Sequence, residues 1–357
     1  MINNTTASAQ IPSPRIWSFF FFLLRLRSSI RASEMASEKR TVLITGCSPG
    51  GIGHALALEF HRKGCHVIAT ARNPDVLKDL AAMGMSAVQL DVTNGDSIKA
   101  CKAEVANITG GKLDILVNNA GRTHTIPALD IEIDDVRQTY ETNVFGPMFT
   151  IQAFAELLIA ARGLVVNISS ISSISSYIFG SVYASTKGAI NSYSRVLRLE
   201  LKPFNVRVMV AMAGTVRSQI ASHQHRALPS TSPYMPINDF FQRRLVFSQN
   251  NATVPTEVFA RKLVAAALKG EGYLGGLIGG SPDWFWAGGF STRVWLLSMV
   301  PAWVSEWAMG FFFGIAKLKK TLTEARLKQS WTDLGMRVMR VLDTVGSKRA
   351  FCLGGPM

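Results

Sequence analysis

A doubly wound α/β domain on a parallel sheet is the fold the sequence predicts, and three observations carry it. Between residues 39 and 281, short apolar runs alternate with amphipathic segments of helical period, the pattern of repeated strand–helix–strand units. The first apolar run passes directly into a glycine-rich turn that opens the first amphipathic segment. A chain of 357 residues, 48% hydrophobic and 17% charged, suits one generous α/β domain with appendages.

The ends lie outside that pattern. In the N-terminal extension 1–38, the run IWSFFFFLL at 16–24 is well short of the roughly 20 apolar residues that span a bilayer. It reads as a signal- or transit-like segment or an interfacial anchor. Alternatively, Met35 directly before the first strand marks a start, and the preceding residues are an extension of the gene model. Residues 1–33 hold four arginines and no acid, and 317–357 hold nine Lys/Arg against three acids, so the net charge of +14 leaves only +4 for the middle. Basic ends around a balanced middle fit a membrane surface or an unstructured extension better than a nucleic-acid groove. Cys47, Cys65, Cys101 and Cys352 are scattered, with no C-x-x-C, so reduced thiols and no metal site are expected.

Within the domain, TVLIT at 41–45 is the first strand, and GCSPGGIG at 46–53 leads into an amphipathic helix. Strand, glycine turn and helix in that order point backbone N–H groups at a pyrophosphate. A second strand, HVIATA at 66–71, ends at Arg72 with no acid there, and Thr70 and Arg72 are read as the residues that discriminate a ribose 2′-phosphate from a 2′-hydroxyl. VQLDVT at 88–93 is the third strand, and LDILVNNAG at 113–121 contains the fourth. In the next helix stands Asn143, a poor helix former whose place there calls for a reason. LVVNISS at 164–170 reads as a buried strand delivering Ser170 to its mouth, and thirteen residues on come Tyr183 and Lys187, one helical turn apart on one face. A cation beside a phenol favours the phenolate and lowers its pKa from about 10.

The stretch from Ser170 to Lys187 resembles the catalytic region of the short-chain dehydrogenase/reductases. Within that family, YASTKGAINSY at 183–193 followed by LRLELKPF at 197–204 is similar to the fungal 1-acyldihydroxyacetone-phosphate reductases. The likeness covers roughly Lys39 to Leu318. It implies a Rossmann-type sheet holding NADP(H), with Gly46, Ser48, Gly51, Ile52 and Gly53 at the phosphates, Asp91 beside the adenine, and Asn118 by the adenine ribose or steadying the sheet. The family glycine pattern is one residue shorter, so Pro49-Gly50 lengthens this loop. Val216 and Ser218 occupy the positions that meet the nicotinamide carboxamide, after Ala213-Gly214 where many relatives have Pro-Gly. Asn143, Ser170, Tyr183 and Lys187 match the family's catalytic set. In the roles the resemblance implies, Tyr183 would protonate the substrate oxygen, Ser170 would hydrogen-bond it, Lys187 would lower the tyrosine pKa and hold the ribose, and Asn143 would hold a water beside Lys187.

The expected activity is therefore NADPH-dependent reduction of a lipid-like carbonyl, with 1-acyldihydroxyacetone phosphate the substrate the resemblance implies. A steroid, polyketide or other secondary-metabolite ketone is the alternative within the class, because the fold is reused for many carbonyls. A catalytically idle lipid-surface scaffold is the alternative outside it. The reductase domain is expected at 39–281, with an irregular, proline-containing substrate lid at 219–255. Residues 282–320 hold five of the seven tryptophans, at 284, 286, 295, 303 and 307, and tryptophan concentrates at membrane interfaces. Pro301 and Glu306 interrupt the apolar run 294–316, which disfavours a clean span. A hairpin or an interfacial segment is expected instead, with Lys317, Lys319 and Lys320 at anionic head groups and a basic tail, 321–357, beyond. That expectation places the protein on the endoplasmic reticulum or lipid droplets. The alternatives are a soluble cytoplasmic protein whose aromatics line the substrate pocket, or a homodimer interface built from them.

Overall fold

The computed structural model describes residues 39–218, 226–251, 253–272 and 279–351. The extension 1–38, the lid residues 219–225 and 252, and Cys352 with the residues after it lie outside the described residues. Nine strands are described: β1 (Thr41–Ile44), β2 (His66–Ala71), β3 (Ser86–Gln89), β4 (Ile115–Asn118), β5 (Leu164–Ser170), β6 (Arg207–Ala213), β7 (Val216–Arg217), β8 (Val254–Pro255) and β9 (Trp284–Ala287). Seven of them form one sheet in the order β3-β2-β1-β4-β5-β6-β9, every neighbouring pair parallel. The chain runs outward from β1 through β2 to β3 and then returns to place β4 on the other side of β1. That reversal opens a crevice at the carboxyl ends of β1 and β4, where open α/β sheets bind ligands.

Helices cover both faces. They are α1 (Ile52–Arg62), α2 (Lys78–Ala82), α3 (Gly95–Thr109), α4 (Ile133–Tyr140), α5 (Gly146–Ala161) and α6 (Ser181–Leu201), then α7 (Asn238–Leu245), α8 (Phe247–Asn250) and α9 (Thr256–Ala267). Side chains alternate across a strand, so Val42 and Ile44 meet Leu56 and Phe60 of α1 and Phe259 of α9 on one face. Leu43 turns the other way, to a core with Val105 of α3, Phe154 and Leu158 of α5 and Leu197 of α6. The α3 boundaries follow from local chemistry: Asn94 accepts hydrogen bonds from the Asp96 and Ser97 N–H groups, and Gly110 ends the helix at φ 61°.

The structure corrects three boundaries. The third strand is Ser86–Gln89, not 88–93, so Asp91 stands in the turn after it. The lid region 219–255 is not irregular throughout, since it contains α7 and α8. The sheet does not end before residue 282: Trp284–Ala287 is its edge strand β9, paired with Val210–Ala213. Trp284 and Trp286 therefore belong to the α/β domain and not to an appended segment. Beyond it come α10 (Ser291–Leu297), α11 (Ala302–Phe312) and α12 (Ile315–Phe351), so the basic tail begins as a continuous helix. Neither α10 nor α11 has the length of a bilayer span. Among the described residues only the passage 133–161 is long and apolar enough to cross a membrane, and it packs Ile151, Phe154 and Leu158 into the core.

Candidate active site

At the crevice, β1 ends in a loop shaped by glycine. Gly46 adopts φ 74°, and a Cβ there would stand 2.9 Å from the Ala120 Cα, so only glycine fits. A Cβ on Gly53 would stand 2.3 Å from the Gly46 carbonyl oxygen and 2.5 Å from Asn119 Nδ2. Gly53 thus serves close packing of α1 on the loop and does not line the crevice, whereas Gly46, Ser48, Gly51 and Ile52 do. The α1 N-terminus follows Gly51, aiming unpaired backbone donors into the same space. Cys47 turns into the core, where burial pushes its thiol up to about 12 and removes it as a nucleophile.

The two residues read as cofactor discriminators part company. Arg72 is exposed and lines the crevice. Thr70 is fully buried, its hydroxyl donating to the Ile44 carbonyl at 2.9 Å, so it ties β2 to β1 and touches no ligand space. Asn118 is likewise interior: Nδ2 donates to Asn167 Oδ1 at 2.9 Å, and Asn167 donates to Ser194 Oγ at 2.9 Å. This chain joins β4, β5 and α6, which is the sheet-steadying reading of Asn118. Its neighbour Asn119 is the one at the crevice, donating to the carbonyls of Thr45 and Gly46 at 2.9 Å each. The repeated asparagine at 118–119 is visible in the sequence, but strand alternation puts consecutive residues on opposite sides, and without the register sequence alone does not tell which of the two faces the crevice. Asp91 lines the crevice, its carboxylate accepting from the Thr93 N–H and hydroxyl at 2.9 and 2.7 Å.

Ser170, Tyr183 and Lys187 come together at the carboxyl end of β5, and all three line the cleft. Lys187 is 7% exposed; its Nζ donates to the Ile168 carbonyl at 2.9 Å and lies 5.8 Å from the Tyr183 ring centroid. Burial pushes this ammonium down to about 8. The phenol moves opposite to the expectation: burial, with the neighbouring Tyr177, pushes Tyr183 up to about 12 against a hydrogen bond from Ser170. Desolvation outweighs that hydrogen bond, so Tyr183 holds its proton.

Asn143 sits in a π-helical turn, Glu141–Phe145, between α4 and α5, a distortion frequent at functional sites. Its Oδ1 accepts from the Arg122 N–H at 2.8 Å, and its Nδ2 donates to the Arg122 carbonyl at 2.9 Å and to Thr186 Oγ1 at 3.1 Å. The side chain is thus committed to fixing the loop after β4 against α6. A Cβ on Gly121 would lie 3.2 Å from Asn143 Oδ1 and 3.8 Å from Lys187 Nζ, which puts both groups around the same glycine.

Val216 and Ser218 line the cleft, with the Ser218 N–H donating to Gln249 Oε1 at 3.3 Å. The whole cleft holds about 1480 Å³, above the usual 300–1,000 Å³ of a single ligand pocket and enough for a dinucleotide with a second molecule. Its lining also includes the apolar side chains Phe247, Phe290, Val294, Leu297, Met309 and Phe312, with Arg293 beside them. Aromatics expected to meet a membrane thus also form part of the pocket wall. Folding α10 and α11 back over the sheet edge produces this, and sequence periodicity alone does not reveal it.

A glycine cradle at a topological switch point, with serine, tyrosine and lysine converging farther along the cleft, defines a dinucleotide-binding α/β enzyme. The family model for short chain dehydrogenases matches residues 40–228, and the chain belongs to the short-chain dehydrogenase/reductase family of NAD(P)-dependent oxidoreductases. It is 38% identical over 291 residues to a short-chain dehydrogenase of Aspergillus ruber, covering 80% of this chain and 98% of the relative. It is also 38% identical over 276 residues to an NADPH-dependent 1-acyldihydroxyacetone phosphate reductase of Schizosaccharomyces pombe, covering 75% and 91%. A short-chain dehydrogenase structure from Streptomyces avermitilis superimposes with a TM-score of 0.63 at 29% identity, over 76% of this chain and 97% of that one.

Proposed function

We propose that the protein reduces 1-acyldihydroxyacetone phosphate to 1-acylglycerol 3-phosphate with NADPH. The observation that carries this reading is the cleft itself, in which Ser170 and Tyr183 stand between a glycine-lined end bordered by Arg72 and an apolar end bordered by α10 and α11. Exposed Arg72, with no acid at the end of β2, suits a 2′-phosphate and hence NADP(H). When bound, the reduced nicotinamide supplies a hydride to the carbonyl carbon. Tyr183, protonated at neutral pH, donates its proton to the carbonyl oxygen, and Ser170 orients that oxygen by a hydrogen bond. Lys187 holds the ribose hydroxyls and returns a proton to Tyr183, and Asn143 keeps the loop after β4 in place around Lys187. The relationship to the fission yeast reductase supports both the cofactor and the substrate. Turnover of the purified full chain with NADPH or NADH, against acyl-dihydroxyacetone phosphate and a panel of steroid and polyketide ketones, tests the proposal. Turnover of a panel ketone with no activity on the acyl phosphate would overturn it.

We also read the protein as monotopic on the endoplasmic reticulum or lipid droplets. Trp303, Trp307 and Phe311 are 71%, 72% and 82% exposed, and Lys317, Lys319 and Lys320 are exposed just beyond them. An apolar aromatic face rimmed by ammonium groups suits an anionic lipid surface. Because β9 belongs to the sheet, truncation after Ser281 would damage the fold. The informative variant is instead the triple substitution Trp303→Ser, Trp307→Ser and Phe311→Ser. It should lose co-sedimentation with phosphatidylserine vesicles, and equal sedimentation of both proteins would refute the reading. Phe149, Val196 and Leu199, exposed on α5 and α6, suit a homodimer, which light scattering of the full chain checks; a monomer would end that reading.

A further inference from the structure

Behind the apolar end of the cleft lies a cation that no carboxylate among the described residues neutralises. Arg244, on α7, is 3% exposed. Its guanidinium carbon stands 3.7 Å from the Tyr177 ring centroid, 5.3 Å from Phe247 and 5.6 Å from Phe313. Its Nε and Nη2 are buried without a hydrogen-bond partner, and among the described residues no carboxylate forms an ion pair with it. Stacking on aromatic faces attracts the charge but leaves the N–H donors unsatisfied. A buried charge in that condition is costly unless a partner arrives.

The three rings around Arg244 also line the cleft that contains Ser170 and Tyr183. The guanidinium therefore lies one ring behind the ligand space, covered most closely by Tyr177, which is partly exposed at that surface; an anion in the cleft reaches it when that ring shifts. A guanidinium presents parallel donors that match the oxygens of a phosphate. Next to it Val294, Leu297, Met309 and Phe312 give the wall its apolar surface, with the exposed Arg293 beside them. Cation and apolar wall together select an amphiphile that is anionic at one end and aliphatic at the other.

We propose that Arg244 is the anion anchor of the substrate end of the cleft, binding the phosphate of an acyl-bearing ketone while the apolar wall takes its chain. This rests on the reading that the substrate is a phosphorylated lipid-like ketone, and it adds the residue that separates such a ketone from a neutral one.

The test measures binding of octyl phosphate and of octanol to the NADPH-loaded full chain by calorimetry, in wild type, Arg244→Met and Arg244→Lys. Wild type should prefer octyl phosphate by about tenfold or more, the worth of a charge-assisted pair. Arg244→Met should reduce that preference to within about twofold without weakening octanol, and Arg244→Lys should retain part of it. Absence of preference in wild type, or survival of the full preference in Arg244→Met, overturns the proposal. Should the variants fail to fold, phenylglyoxal modification of wild-type Arg244 decides: octyl phosphate but not octanol should protect it, and equal modification in both counts against the anchor. Binding of octyl phosphate through Arg244 without turnover of acyl-dihydroxyacetone phosphate would overturn the substrate assignment and leave the anchor standing. Turnover of that substrate unaffected by Arg244→Met would do the reverse.

Discussion

Replacing Lys187 by Met should stabilise the unliganded protein near neutral pH while abolishing its activity. Lys187 is buried, and loss of solvent takes its pKa from the ordinary 10.5 down to about 8. At about 1.36 kcal/mol per pH unit, keeping the ammonium charged inside the fold costs ~3 kcal/mol at pH 7. Methionine fills similar volume without the charge, and the lost hydrogen bond to the Ile168 carbonyl returns about 1 kcal/mol of that. The net gain is about 2 kcal/mol, a rise of several degrees in melting temperature for a domain of this size. The sign has a pH signature. Between pH 8 and 10.5 the unfolded chain binds the proton that folded Lys187 has released, so wild-type stability rises with pH through that window relative to the variant. The gap between the two proteins should therefore shrink from pH 7 to pH 10. Urea unfolding of both at a series of pH values measures it. A variant less stable than wild type at pH 7, or a gap independent of pH, would refute the reasoning.

Other outcomes follow from the same geometry. Tyr183→Phe removes only the hydroxyl, so NADPH binding should persist while turnover falls roughly 10²-fold or more; near-normal turnover would remove Tyr183 from its role. Arg72→Asp should move cofactor preference from NADPH toward NADH in steady-state kinetics, and an unchanged preference would place the 2′-phosphate contact elsewhere, for instance on the lengthened Pro49-Gly50 loop. Thr70→Val should cost about 1 kcal/mol of stability through its lost bond to Ile44 and leave cofactor preference untouched, so a changed preference would restore Thr70 to the ligand site. Gly46→Ala forces a Cβ to 2.9 Å from the Ala120 Cα at φ 74° and should weaken NADPH binding measured by fluorescence titration; unaltered affinity would contradict the close approach.

Read alone, the sequence determined the sheet, its parallel sense and the ligand end of it, because these follow from local pattern. The apolar runs at 41–45, 66–71 and 164–170 became β1, β2 and β5 within a residue, and glycine spacing located the loop that only glycine can form. Tyr183 and Lys187 share a helix, so their neighbourhood is a matter of periodicity. Tertiary structure decided everything that depends on which side of a strand faces the ligand and on what folds back from far along the chain. Thr70 and Arg72 lie two apart in sequence, yet Thr70 is interior and Arg72 is at the crevice, because the strand ends between them and only the residue beyond the sheet is released to the ligand space. The interior placing of Asn118 and the crevice placing of Asn119 needed the register of β4 against β5. Trp284 and Trp286 resemble membrane tryptophans by composition but belong to an edge strand, since pairing with β6 satisfies their backbone in a way composition does not encode. The pKa of Tyr183 depends on how much solvent the assembled cleft excludes, a quantity set by residues scattered from Tyr177 to Phe313. Arg244 is enclosed by aromatic rings, with no carboxylate partner among the described residues, because α7, the loop after β5 and the end of α11 meet around it, and that meeting is a property of the folded chain.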